Sequence, residues 1–284
     1  MALETSAAAA GSEIVDPEVE VRVRLVPNPL RPGIGRAPAR EKRRAFLPQH
    51  ARLIPVIEEA NKLGFLVFPP LLDNESVQIY ARDDDVLAIT LFLGNDYGQR
   101  APVFVAEVAR SAGAGGIGVT AVTILEPQAG IDEPQARQLV AALTVGINMP
   151  PGTVGLRGTH QFITPTGWDT VYTAVLNDLQ RPTAGVISTR AETDWFPHET
   201  EFRYALEGGD VLSLVGSGPI GQVFFVPRTE VRLEDASDDE ARHYAETQRT
   251  FGAAAVEAAR KTKYGAGFSY LYDEERSRRR SGAG

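Results

Sequence analysis

His160, His198 and Glu201 are the residues of this chain whose types and spacing point most directly to chemistry. Both histidines fall in one stretch of short apolar runs and turns, and Glu201 follows His198 by three residues. Two imidazoles and a carboxylate (Glu201, or Asp194 in its place) suit a divalent metal such as iron, if strand pairing brings them to one point. Such a centre would support a metal-assisted or oxygenase-like reaction. The plainer reading makes His160 a satisfied strand histidine and His198 a turn histidine. His50 and His243, the other two of the four, fall on predicted helices.

The aromatic residues crowd into the same region. Trp168, Tyr172, Trp195, Phe196 and Tyr204 lie there, including both tryptophans of the chain. Aromatic walls with a few polar groups commonly line a small-molecule pocket; ordinary core packing is the alternative. Arg157 and Arg203 could recognise an anion there, since the guanidinium fork fits carboxylate and phosphate. Asp169, Asp178, Glu192 and Asp194 fall near predicted strand ends, where loops carry function, although isolated acidic residues more often form turns.

Other chemistries are excluded or unsupported. There is no cysteine, so disulfides, thiolate zinc sites and cysteine nucleophiles are ruled out. No G-x-S-x-G occurs. Gly113 to Gly118 matches G-x-G-x-x-G literally, but the fingerprint needs a strand before it and a helix after it, and the predicted order here is reversed. A net charge of −8 argues against nucleic acid as a partner, despite the local run Arg40, Lys42, Arg43 and Arg44. The N-terminus has no basic n-region, and no apolar run approaches about 18 residues. The expectation is a cytoplasmic protein with no membrane partner.

The elements that must position these residues follow from periodicity and turn chemistry. With 284 residues, 43% of them apolar, the chain can bury one large core or two modest ones. Residues 1–18 form a small, acidic tail. A sub-domain over 19–150 starts with an edge strand ending at Pro27. A helix follows over His50–Leu63, stopped at Gly64. Strands are predicted at Phe65–Phe68, Ser76–Tyr80, Val86–Leu93 and Val119–Leu125. Pro102–Arg110 reads as a short helix. Asp132-Glu133-Pro134 opens a further helix to about Val145. Residues 151–235 form the body, and Gly185–Arg228 reads as a meander of strands and tight turns. In 236–284, Ser237 and Glu240 form a capping box; the helix after it turns Tyr244, Phe251 and Val256 inward, and a basic tail ends the chain. The fold class is therefore α+β: an antiparallel β barrel or sandwich, β-clip or jelly-roll-like, with peripheral helices.

Three resemblances add to this reading. His198-Glu199-Thr200-Glu201 resembles part of a cupin ligand set, without the second histidine that a cupin places two residues away. Thr164-Pro165-Thr166-Gly167-Trp168, Asn177 to Pro182, Glu192 to Pro197 and Gly218 to Pro227 resemble a bacterial family defined only as a domain of unknown function. That resemblance spans residues 20–270, with 95–150 as an added segment, and implies no activity. His198 stands where that family has an apolar residue. Gly185-Val186-Ile187, Asp194-Trp195 and Gly218 to Phe224 resemble the β-clip fold of dUTPases and dCTP deaminases. The phosphate-binding R-S-G is missing and the catalytic aspartate aligns at Ser188, so the resemblance implies the fold, and a homo-oligomer with sites between subunits, more than the reaction.

The expected function is a small-molecule enzyme of bacterial metabolism, metal-assisted or oxygenase-like. His160, His198 and Glu201 would be its catalytic and metal-binding residues; Arg157, Trp168, Tyr172, Trp195, Arg203 and Tyr204 would form its pocket. The alternatives are a nucleotide-binding or nucleotide-hydrolysing β-clip protein, with Arg157 and Arg203 as phosphate partners, and a non-catalytic binding or assembly protein.

Overall fold

Phe202 and Tyr204 alternate with Glu201 and Arg203 along one strand, and that alternation divides an apolar face from a polar one. The same device builds most of the molecule. The computed structural model describes residues 20–41, 47–48, 51, 54–82, 86–94, 100–110, 117–145, 152–178, 184–261 and 267–281. The described strands in chain order are β1 (Arg24–Pro27), β2 (Phe65–Val67), β3 (Glu75–Ala81), β4 (Val86–Gly94), β5 (Arg100–Arg110), β6 (Ile117–Ile124), β7 (Thr144–Val145), β8 (Thr153–Arg157), β9 (His160–Ile163), β10 (Trp168–Thr173), β11 (Val186–Ile187), β12 (Thr189–Ala191), β13 (Glu201–Ala205), β14 (Val211–Val215), β15 (Gly221–Pro227), β16 (Arg260–Lys261) and β17 (Gly267–Phe268). The helices are α1 (Pro55–Lys62), α2 (Glu133–Leu143), α3 (Asp238–Glu257) and α4 (Leu271–Ser281).

The protein is α+β, with every strand pair antiparallel. One sheet runs β12-β10-β15-β2, a second β11-β13-β8-β7 and a third β14-β3-β4-β5-β6; β1-β9 and β16-β17 are two-stranded. Among the described residues no closed barrel forms. The first two sheets face each other instead. Tyr172 of β10 meets Phe202 of β13 at a ring distance of 5.8 Å, edge to face, and Phe162 of the separate β1-β9 pair packs on Phe225 of β15 at 5.4 Å. A Cβ on Gly221 would stand 2.1 Å from the Phe202 ring, so β15 approaches β13 as closely as glycine permits. The buried residues form one cluster that runs through all three larger sheets.

The segment Gly185–Arg228 is not a meander. Its strands go to three different sheets: β13 pairs with β8, β14 with β3, and β15 with β10 and β2. Tight turns read locally suggest hairpins, but the apolar faces find more burial against distant strands. β2 and β14 thereby cross the expected boundary between 19–150 and 151–235.

Pro102–Arg110 also differs from its expected state. It belongs to β5, between β4 and β6. Val103, Phe104, Ala106 and Val108 are buried there, and two flanking strands supply hydrogen bonds that a short helix would have to make alone. The helix expected over His50–Leu63 is described as α1, with Pro55 in its first turn; His50, Arg52 and Leu53 lie outside the described residues. Gly64 ends it at φ 65°, a left-handed conformation that a β-carbon would also block, since it would sit 2.0 Å from the Val223 carbonyl oxygen. α2 opens on the expected acidic N-terminus, with a capping box between Asp132 and Gln135. Most of the G-x-G-x-x-G segment lies outside the described residues; Ile117 and Gly118 open β6.

α3 opens on the Ser237–Glu240 capping box, yet it has no buried residue. Tyr244, Phe251 and Val256, expected on an inward face, are exposed. No described helix is long and apolar enough to cross a membrane.

Candidate functional site

A cleft of about 330 Å³ opens between β12 and β13, beside the turn that joins them. Thr189, Arg190 and Ala191 form one wall, Glu192, Trp195, Phe196 and His198 the turn side, and Glu201 with Arg203 the other wall. The two β13 residues reach it by period-two alternation, because Phe202 and Tyr204 are taken by the core.

The turn is fixed from beneath. Thr193 shares hydroxyl hydrogen bonds with Thr170 at 2.7 Å and with Thr164 at 3.0 Å, all three buried. Asp194 accepts from the Gly167 amide at 2.9 Å and from Arg228 at 2.8 Å. The Trp195 indole donates to Glu192 at 2.5 Å, and the Phe196 amide to the Glu192 carbonyl at 3.0 Å. So anchored, Trp195 remains 69% exposed. A large indole held in place yet left open to water is the arrangement of a contact surface rather than of a core residue.

His198 sits between rings. Its imidazole stacks on Phe196 at 5.7 Å and meets the Tyr172 edge at 5.4 Å. Among the described residues, that imidazole makes no hydrogen bond. Burial lowers its pKa, helped by the Arg203 charge and opposed by Glu201 and Glu199, so the ring is neutral near pH 7. A neutral imidazole can both accept and donate a proton.

Glu201 is buried, and Arg203 answers its charge through Nε at 2.7 Å and a second nitrogen at 3.3 Å. Gly155 lies opposite Arg203 on β8. A Cβ at Gly155 would stand 2.6 Å from the Glu201 carboxylate oxygen, so the absent side chain makes the carboxylate's seat. Arg190 is committed as well, to Asp169 at 2.6 Å.

The expected residues divide. His198, Glu201, Trp195 and Arg203 are brought together in this cleft. His160 is not: it lies on β9 opposite Pro27, half-buried, with Nδ1 3.0 Å from its neighbour Thr159, and burial lowers its pKa. No three His, Asp or Glu side chains among the described residues group closely enough to hold a metal ion, so the expected set of His160, His198 and Glu201 does not assemble. Strand pairing is the reason: β9 pairs with β1 in a separate two-stranded sheet, whereas His198 follows the β12 turn.

Of the expected pocket residues, Tyr172 and Tyr204 are core; the Tyr204 hydroxyl donates to the Ile220 carbonyl. Trp168 starts β10 opposite Pro227. Arg157 pairs with Glu199 at 2.9 Å and donates to the Thr144 carbonyl at 3.1 Å, away from the cleft. Sequence reasoning missed Arg190 and Arg228. The signal available was their register: Arg190 pairs with Val171, beside Asp169 on β10, and Arg228 directly follows β15, whose Val226 lies opposite Asp169.

No family model, curated protein or solved structure was found to match the chain.

Proposed function

We propose that the protein is a small-molecule enzyme that takes its substrate in the β12–β13 cleft, with His198 as the group that carries a proton. One observation carries this reading: a neutral, half-buried imidazole without a hydrogen-bond partner lines a cleft walled by an exposed, anchored indole and a buried carboxylate–guanidinium pair. Trp195 offers a planar apolar surface, and Glu201 with Arg203 offers oriented polar groups, the combination that orients small ligands. Glu201 also favours the protonated imidazole, which suits a base that becomes an acid within one turnover. Phosphate recognition by Arg157 and Arg203 has less support, because a carboxylate already answers each guanidinium. At the level of architecture, we read the two facing four-stranded sheets as a jelly-roll-like sandwich, with the site at its open mouth.

The test uses the two tryptophans. A Trp168→Phe variant leaves Trp195 as the sole indole reporter. Its fluorescence should respond saturably to members of a panel of small metabolites, and His198→Ala should abolish turnover of the responding compound while leaving its binding within about tenfold. A panel that leaves Trp195 unmoved, or turnover that survives His198→Ala, refutes the reading.

A further inference from the structure

Every residue from Pro227 to Ala253 is exposed. That stretch holds a segment outside regular structure, Thr229–Asp235, and then most of α3. Val231 and Leu233 are 81% and 95% exposed. Among the described residues, the main chain from Thr229 to Ala236 makes no hydrogen bond to the protein. Among the described residues the ion pairs of this arm stay within it: Arg232 with Glu230, Arg242 with Asp239 and Arg249 with Glu246. A chain segment gains little from being ordered against nothing, and helical stability in proteins comes mostly from packing. Alternating apolar side chains left wholly in water signal a missing partner.

The chain itself carries a matching surface. Among the described residues β1 pairs with β9 on one side only, and all four of its residues are exposed, Leu25 and Val26 among them. An open strand edge is a template for a further strand. Residues 21–40 contain five arginines and no carboxylate, with Glu20 on Arg22, Glu75 on Arg31 and Asp73 on Arg36, while 229–257 contain eight carboxylates and three arginines. The pattern Glu230-Val231-Arg232-Leu233-Glu234 is the acidic counterpart of Arg22-Val23-Arg24-Leu25. The arm leaves the body close to this edge: the Arg228 amide donates to the Gly167 carbonyl, just beyond the β9 residue Ile163 that pairs with Arg24. The exposed arm is also of the size that a standard interface needs, roughly 20 to 30 residues a side.

We propose that Thr229–Asp235 of one copy adds as a strand to the free edge of β1 in a second copy, with α3 following across that copy, and that the exchange is reciprocal. Val231 and Leu233 then lie on one face with Val23 and Leu25, and Glu230 and Glu234 share the opposite face with Arg22 and Arg24. Two-fold exchange of identical elements is a common, low-cost route to a closed dimer.

Sedimentation velocity of the full chain tests this. Wild type should sediment as a self-associated species. Val231→Asp with Leu233→Asp should be monomeric and still unfold cooperatively, because both side chains are almost wholly exposed on their own body. Arg22→Glu with Arg24→Glu should weaken association by on the order of tenfold or more, as should Glu230→Arg with Glu234→Arg. Mixing these two charge-reversed proteins should restore the complex, since each acidic segment then meets a basic one in trans. A monomeric wild type overturns the proposal, as does association that ignores both the Leu233 change and the charge reversals, or charge-reversed proteins that fail to combine.

Discussion

The Glu201 carboxylate occupies the space that a side chain on Gly155 would fill, with the oxygen 2.6 Å from that β-carbon position. The pair belongs to adjacent strands, so a backbone choice on β8 sets a polar group on β13. Gly155→Ala should push the carboxylate off its seat and away from Arg203. Overpacking of this kind costs about 1–3 kcal/mol, measurable as a lower midpoint in urea. The same variant should change the Trp195 emission, because Glu201 and Trp195 share the cleft. Unchanged stability and unchanged emission would show that the carboxylate can move freely.

The neutral imidazole of His198 gives the cleft a defined pH response. Its pKa is depressed in the folded protein, mainly by burial. The unfolded chain therefore takes up a proton first as pH falls. The stability contribution is complete above the ordinary histidine value of about 6.5 and is lost as pH falls from there through the folded pKa. His160 shifts in the same direction. Denaturant midpoints from pH 7.5 to 5 should fall in wild type, less steeply in His198→Phe, and least in a variant with both histidines replaced. Equal slopes in all three would place the titration elsewhere.

Asp169 and Arg228 should dominate a second, more acidic transition. Burial raises the Asp169 carboxyl, but hydrogen bonds and charge from Arg228 and Arg190 outweigh it and hold the group below its usual range. Asp194 is also held low, first by Arg228. These carboxylates stabilise the fold above their unfolded values near 4 and lose that effect as pH falls through the folded ones. Arg228→Gln removes a partner from buried Asp169 and releases the turn that carries Trp195. It should lower the denaturant midpoint at neutral pH and flatten the loss of stability below the ordinary carboxylate range. A variant as stable as wild type, with an unaltered acid limb, would sink this assignment.

Much of this architecture was legible in the sequence because it is local. The Asp132–Gln135 and Ser237–Glu240 caps, the Gly64 stop and the alternation in β13 depend on residues within a few positions of one another. The candidate site was half legible for the same reason: Trp195, His198, Glu201 and Arg203 sit within nine residues, and any turn into a strand keeps them close. His160 and Arg157 fell away because their placement depends on which distant strand β9 and β8 pair with, and no local pattern encodes that choice. β5 shows the same limit. Its apolar run fits either state in isolation, and β4 and β6 decide it. α3 is the reverse case, in which the local helix signal holds and the inferred buried face does not.

Tyr172 supplies the last test, because its buried hydroxyl lies beside the Thr170 and Thr200 hydroxyls without a well-formed hydrogen bond to either. The side chain is 1% exposed, packed on Phe202 and under His198, and neither its oxygen nor the nearby Thr200 hydroxyl is hydrogen-bonded among the described residues. Burial drives the phenol well above its ordinary pKa, so it stays protonated at neutral pH. An unpaired hydroxyl in an apolar setting costs about 1–3 kcal/mol. Tyr172→Phe keeps the ring contacts and removes that cost. It should therefore be neutral or more stable by about 1 kcal/mol, whereas Tyr172→Ala should lose about 3–5 kcal/mol through the cavity beneath His198. If Tyr172→Phe is instead clearly less stable, the hydroxyl has a partner, and a buried water bridging it to Thr200 becomes the group to seek.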